Sequence, residues 1–368
     1  MKATLFYGGK DIRIEDRDLP PVGSDEVVVK VHSAGICGSD LHNYRGNREL
    51  PWEIPWEQGH ELAGTVVSTG SAVNVVETGD RVGIEAEHLL GCGKCTWCSS
   101  GNNQLCKNRG ILNGKIHSSH GFSSHDVVLA KNCYKLPDNI SFDHAALIDC
   151  YACGVHALNL VKEKSHMEGS IVIMGSGAIA MTLGQIIKAK WSHNNSLKVI
   201  MIGTRKAPLE TALIAGAADD FVIGGSNKDV VNPILQKTNG VGADIVFETV
   251  GGNSQLTQQC MEIATIQGIV CIMGIFTKPQ IIDSQGSGMS KELSLVWSNS
   301  FSNGMDEKLP ESNYASKEYQ EALDYMASGK INPDSIITHR FAQTQILEAF
   351  EAADNKAASG AIKVIINH

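Results

Sequence analysis

The stretch Ile171-Val172-Ile173-Met174-Gly175-Ser176-Gly177-Ala178-Ile179-Ala180 decides the fold. Four apolar residues in a row, closed off by glycine, read as a strand buried on both faces. Beyond the glycines, Ile179, Leu183, Ile186 and Ile187 fall on one helical face. The loop between them fits G-x-G-x-x-A. Its first glycine makes a tight turn, its second lets a pyrophosphate approach the helix N-terminus, and Ala180 lets helix pack on strand. A strand before the loop and a helix after it give the motif its weight, against the rival reading of a glycine-rich turn kept only for packing. Gly175, Ser176, Gly177, Ala178 and Ile179 are therefore candidate contacts to a dinucleotide.

The alternation continues downstream. Val199-Ile200-Met201-Ile202 is the next expected strand and residues 209–215 the next helix. Phe221-Val222-Ile223, Ile245-Val246-Phe247 and residues 269–273 follow as strands. Continuous apolar strands alternating with helices predict an α/β, doubly wound parallel sheet covered on both faces, the Rossmann arrangement. The second strand ends in Gly203-Thr204-Arg205-Lys206. Dinucleotide domains that prefer NAD usually place Asp or Glu there to bind the adenosine ribose. Here no carboxylate stands at Gly203 to repel a 2′-phosphate, and Arg205 offers it a planar charged fork. NADP is the expected cofactor, with NAD as the alternative.

Upstream, the first ~150 residues, rich in β-branched residues and turns, read as an irregular barrel of short strands. Val27-Val28-Val29-Lys30-Val31 and Gly64-Thr65-Val66-Val67 are two of those strands, and Gly79-Asp80 and Gly91 mark turns. The expected domains are 1–153 (barrel), 154–295 (dinucleotide-binding) and 296–368 (a return to the first domain, with a helix at 346–353 and a strand at 362–366). The 368 residues carry a net charge of −9 without a basic face, which argues against nucleic acid. The N-terminus lacks the apolar core of a signal peptide, and no apolar run reaches the ~20 residues of a membrane helix. A cytoplasmic protein without a membrane partner is expected, and its ten cysteines then point to metal rather than disulfides.

Cys92, Cys95, Cys98 and Cys106 form C-x2-C-x2-C-x7-C, which can close tetrahedrally on Zn²⁺ as a structural site. An iron–sulfur cluster is the rival, but no Cys-Pro follows the run. A second set is dispersed: Cys37 in Gly35-Ile36-Cys37-Gly38-Ser39-Asp40-Leu41-His42, and His60 with Glu61 in Gly59-His60-Glu61-Leu62-Ala63-Gly64. Taken singly, these read equally well as a buried thiol, a core histidine and a solvated glutamate.

In combination and in this order, the motifs closely resemble the zinc-containing medium-chain alcohol dehydrogenase family, nearest its polyol, sorbitol and threonine dehydrogenase branch. The resemblance runs on through Phe247-Glu248-Thr249-Val250-Gly251, His339-Arg340-Phe341 and Ala361-Ile362-Lys363-Val364, so it spans nearly the whole chain. It implies that the barrel is a GroES-like catalytic domain and that each chain holds two zinc ions. It implies that Cys37 and His60 ligate the catalytic zinc, that Glu61 does so directly or through water, and that the remaining ligand is Asp149, with Cys150 as the alternative. Val250 joins Gly203, Thr204, Arg205 and Lys206 as a cofactor contact. Ser39 and His42 resemble the family's proton relay; their plainer reading is a turn cap and a surface histidine.

A catalytic zinc favours alkoxide over alcohol, so the carbinol carbon can pass hydride to the nicotinamide. The substrate expected is a small alcohol and its carbonyl partner, a secondary alcohol, polyol or sugar-like molecule, handled by a homodimer or homotetramer. Trp52, Trp56 and His88 could line the pocket or belong to core and loop, and they are not assigned to the site. The rivals are an NAD-dependent threonine or polyol dehydrogenase, a catalytically retired scaffold, and a zinc-free quinone or enoyl reductase. The last lacks both the cysteine lobe and the Gly-His-Glu pair.

Overall fold

The computed structural model describes residues 1–46, 54–85, 91–112, 115–116, 119–161, 169–225, 229–303 and 316–368. Trp52 and His88 lie outside them. The chain forms two bodies. One comprises Met1–Asp149, Ser302–Ala327 and Ile337–His368, the other Cys150–Phe301 and Ser328–Ile336.

The first body is built on a seven-stranded sheet. Its order is Ile337–Ala342, Lys363–Asn367, Glu26–Gly35, Glu61–Thr69, Arg81–Ile84 and Cys133–Lys135, with His125–Leu129 also on Glu26–Gly35. Register breaks at Val28/Val29 and Val31/Ser33 bend the Glu26–Gly35 strand, so its start pairs with His125–Leu129 and its end with Lys363–Asn367. Phe6, Phe122 and Phe350 meet inside at ring-centroid distances of 5.4 to 6.3 Å. Trp56 stacks on Phe6 at 6.0 Å and is 8% exposed, so it is a core aromatic.

The second body holds a six-stranded parallel sheet. Its order is Asp220–Ile223, Lys198–Gly203, Ser170–Met174, Ala243–Glu248, Ala264–Ile272 and Ser294–Trp297. In chain order this is 3-2-1-4-5-6, the dinucleotide-binding topology. The glycine loop leaves the central strand, where the strand order reverses. Its helix, Ala178–Lys190, buries Leu183, Ile186 and Ile187, while Ile179 in the first turn stays half-buried. The next helix starts at Lys206, three residues before the expected 209. Pro208 fits inside its first turn because backbone N–H groups there have no intrahelical partner to lose.

A histidine cluster on the first body makes stability depend on pH. His368 holds the Gly121 carbonyl through Nε2 at 3.1 Å, and its amide donates to the His32 carbonyl at 3.1 Å. Burial pushes its pKa down to about 4, reinforced by His32 and His125. Between pH 6.5 and 4 the unfolded chain therefore binds the proton the folded chain refuses. The contribution is full above pH 6.5 and lost as pH falls. By pH 5 about 2 kcal/mol of it has been lost. Urea unfolding of His368→Gln at pH 7 and pH 5 should show a pH-dependent loss smaller than wild type by that amount. Equal slopes would refute the assignment.

Candidate metal centres and cofactor cradle

Cys37 is the N-cap of the Gly38–Tyr44 helix, in extended backbone, and its N–H donates to Asp40 Oδ2 at 2.8 Å. Ser39 and His42 lie on the same helix, three residues apart and so on one face, both half-buried. Gly59 turns the chain into His60 with φ +114°, and a Cβ there would come within 2.8 Å of the Phe122 amide. Only glycine fits such a turn without strain. Glu61 then opens the Glu61–Thr69 strand. The result brings one donor atom from each of Cys37, His60 and Glu61 within 4.8 Å of one another.

The electrostatics of this trio are those of a cation site. Burial alone would lower the His60 pKa. The charges of Cys37, Asp40 and Asp149 outweigh it and hold His60 well above its ordinary value. Asp40 Oδ1 lies 3.7 Å from His60 Nδ1. Burial pushes both Asp40 and Asp149 up to about 6, and His60 opposes it in each. Several acids crowd one histidine, and a divalent cation would relieve their repulsion. The donor set, one thiolate, one imidazole and carboxylates, suits zinc. Asp149 stands in the first turn of the Ile148–Val161 helix, outside the 4.8 Å trio, yet its charge reaches His60. Cys150 is buried beside it, also outside the trio, and its carbonyl accepts from Thr182 at 3.3 Å.

Two further residues belong to the site without standing in a recognisable motif. Asp40 lies three residues after Cys37, the spacing of a capping carboxylate. Lys363 is fully buried and its ammonium pairs with the Glu61 carboxylate. The available signal was a lysine inside Ala361-Ile362-Lys363-Val364-Ile365-Ile366, an otherwise apolar strand.

The four lobe sulfurs, of Cys92, Cys95, Cys98 and Cys106, also lie within 4.8 Å of one another, and all are free thiols. The N–H groups of Cys92 and Asn108 point at Cys106 Sγ at 3.4 Å each. Four sulfurs thus converge with the ligand count of a closed zinc site. Asn303 ties the lobe down, its N–H donating to the Gly101 carbonyl at 2.9 Å and to Asn103 Oδ1 at 3.1 Å.

In the second body the glycine loop has the shape of a cradle. Gly175 has φ +128°, and a Cβ there would collide with Thr249 Oγ1 at 2.2 Å. Gly177 caps the Ala178–Lys190 helix, and a Cβ there would meet nothing within 4 Å, so the space over the helix end is open to a phosphate. Val250, 49% exposed, lies within 3.3 Å of where the Gly175 Cβ would be. Its N–H is held by Glu248 Oε1 at 2.9 Å. The Lys198–Gly203 strand pairs Ile202 with Met174, which brings Gly203 level with the loop. A Cβ on Gly203 would come within 2.5 Å of Ser176 Oγ, so the loop occupies the place of a carboxylate there. Thr204 and Lys206 are exposed, Arg205 half-buried, and Lys206 pairs with Glu210 at 3.0 Å.

Residues 23–138 match the alcohol dehydrogenase GroES-like domain family, and residues 178–327 match the zinc-binding dehydrogenase family. A sorbitol dehydrogenase of Bombyx mori is 30% identical, over 99% of this chain and 98% of its own length. An alcohol dehydrogenase from Escherichia coli CFT073, solved with NADH, superposes with a TM-score of 0.84 at 25% identity, covering 100% of this chain and 99% of its own. A protein from Sinorhizobium meliloti 1021, described as a zinc-binding dehydrogenase and bound to NADP, gives 0.82 at 27% identity, with 100% and 99% covered.

Proposed function

The chain belongs to the zinc-type medium-chain dehydrogenases, in their polyol branch, and from that premise we propose that it transfers hydride between NADP(H) and a secondary alcohol, polyol or sugar-like substrate and its ketone or aldehyde. The observation that carries the reading is the convergence of Cys37, His60 and Glu61 within 4.8 Å. A retired scaffold would have no reason to keep that trio. Cys37 and His60 hold the catalytic zinc, Glu61 adds a carboxylate, and Asp149 supplies the remaining donor. When bound, zinc provides a Lewis acid for the substrate oxygen and the nicotinamide takes up the hydride. Ser39 accepts the alcohol proton and passes it toward His42, whose imidazole can both take up and release a proton. The cysteine lobe holds the second, structural zinc.

Metal analysis of freshly purified protein should give about two zinc per chain. Assay of alcohols and carbonyls with each cofactor should find activity on polyols or secondary alcohols. Active protein that reproducibly lacks zinc would end this mechanism.

The preference for NADP(H) rests on Gly203, Thr204, Arg205 and Lys206 at the strand end. Arg205→Ala should lower kcat/KM for NADP about 10- to 100-fold, the worth of a charge-assisted pair of ~1.5–3 kcal/mol, and leave NAD nearly unchanged. The second reading is NAD(H), which the Escherichia coli neighbour was solved with. A wild type that favours NAD, or an Arg205 variant with intact NADP efficiency, would decide for it.

No disulfide joins the described cysteines, and no helix among the described residues is long and apolar enough to cross a membrane. Ser294–Trp297 is an edge strand ending in a 65% exposed Trp297. Such an edge is suited to pairing between copies in a homodimer or homotetramer.

A further inference from the structure

We propose that the cysteine lobe is an oxidation site, at which a hydroperoxide converts Cys95 and Cys98 into a disulfide and so releases the metal of the lobe. This rests on the lobe holding zinc, as read above, and lies outside the hydride chemistry. A cavity of about 300 Å³ opens beside the lobe and is lined by Cys92, Cys95 and Cys106, with Trp97 and Lys107 among its other walls. At ~30 Å³ per water it has room for a peroxide. Cys98 does not line it. Its sulfur is pressed against Gly91, where a Cβ would come within 2.3 Å, and it lies 3.5 Å from Cys95 Sγ. Cys95 therefore combines access for a small oxidant with a second sulfur in contact behind it. That is the arrangement of an attacking and a resolving thiol.

The electron balance closes with the peroxide as oxidant. The Cys95 thiolate attacks one peroxide oxygen. The S–O bond forms as the O–O bond breaks, and the departing hydroxide takes up a proton to become water. The Cys98 thiolate then attacks the Cys95 sulfenic sulfur. The S–S bond forms as the S–O bond breaks, and the oxygen leaves as a second water. Two thiolates have lost two electrons and the peroxide has gained them. Cys95 caps the short Thr96–Ser99 helix that carries Cys98, so both sulfurs sit on one turn. From 3.5 Å they close to the ~2.05 Å of a disulfide by side-chain rotation. Cys92 and Cys106 then remain as the lobe's thiolate donors, two where a closed structural site uses four.

The test uses the full chain with its zinc counted beforehand, as wild type and as Cys37→Ser. Each is treated with hydrogen peroxide beside a chromogenic zinc chelator, alkylated and mapped by mass spectrometry. The expected result is release of about one zinc per chain from both proteins. Release should run in step with the loss of two thiols and with a Cys95–Cys98 disulfide, and dithiothreitol with added zinc should reverse it. Cys37→Ser removes the thiol of the Cys37, His60 and Glu61 trio, so release that persists in it comes from the lobe. A loaded lobe that keeps its zinc while methionines oxidise overturns the proposal. So does release with sulfinic acid at Cys95, or with a disulfide between other cysteines. A lobe already empty of zinc on purification overturns the two-zinc reading first, and this proposal with it.

Discussion

His60→Ala is expected to lower kcat/KM by roughly a thousandfold or more, the equivalent of about 4 kcal/mol of transition-state stabilisation, while the fold persists. His60 directly precedes the Glu61–Thr69 strand and is not one of the three rings, Phe6, Phe122 and Phe350, that meet in the aromatic core. Its removal leaves Cys37 and Glu61 as the remaining close donors, so one zinc per chain should be lost and the other kept. Circular dichroism and metal content measured with the kinetics separate this from unfolding. Cys98→Ser provides the contrast: it opens the lobe rather than the trio, and its loss should appear in thermal stability before turnover. Near-normal turnover in His60→Ala would remove His60 from the catalytic site.

The dinucleotide half was legible because its information is local. Each strand is a continuous apolar run, each helix an apolar stripe, and the loop between them carries its glycines at fixed offsets. Pattern alone therefore located all six strands but the last, Ser294–Trp297, which is only four residues long and lies half-buried on the sheet edge. The barrel half is held by pairings that no window of sequence contains. Lys363–Asn367 pairs with Glu26–Gly35 across more than 300 residues, and Ser302–Ala327 joins this body while Ser328–Ile336 joins the other. The site followed the same division. Cys92, Cys95, Cys98 and Cys106 announce themselves by spacing, whereas Cys37 and His60 meet only because strand pairing brings Gly35 opposite Glu61. Asp40 and Lys363 went unassigned because their partners, His60 and Glu61, are distant in sequence.

Lys363→Met is expected to cost about 3–5 kcal/mol of stability. The Lys363 and Glu61 side chains are 2% and 1% exposed. The ammonium also donates to the Ile36 carbonyl at 3.2 Å. Gly35 makes the room: a Cβ there would fall 2.2 Å from Glu61 Oε2 and 2.8 Å from Lys363 Cε. Methionine fills the volume of the lysine stem but leaves Glu61 as a buried acid beside Asp40 and Asp149, which burial already pushes up to about 6. Three carboxyls would then share His60 as their nearby cation. The penalty comes from the stranded charge, so removing that charge should remove most of it. Glu61→Gln combined with Lys363→Met is expected to recover more than half the loss, because a neutral amide is far cheaper to bury than an ion. Denaturant unfolding of the two single variants and the double, all at one fixed zinc concentration, measures the cycle. If Lys363→Met unfolds within about 1 kcal/mol of wild type, or if the double variant is as unstable as Lys363→Met alone, the pair is not what fixes Glu61 beside Cys37 and His60.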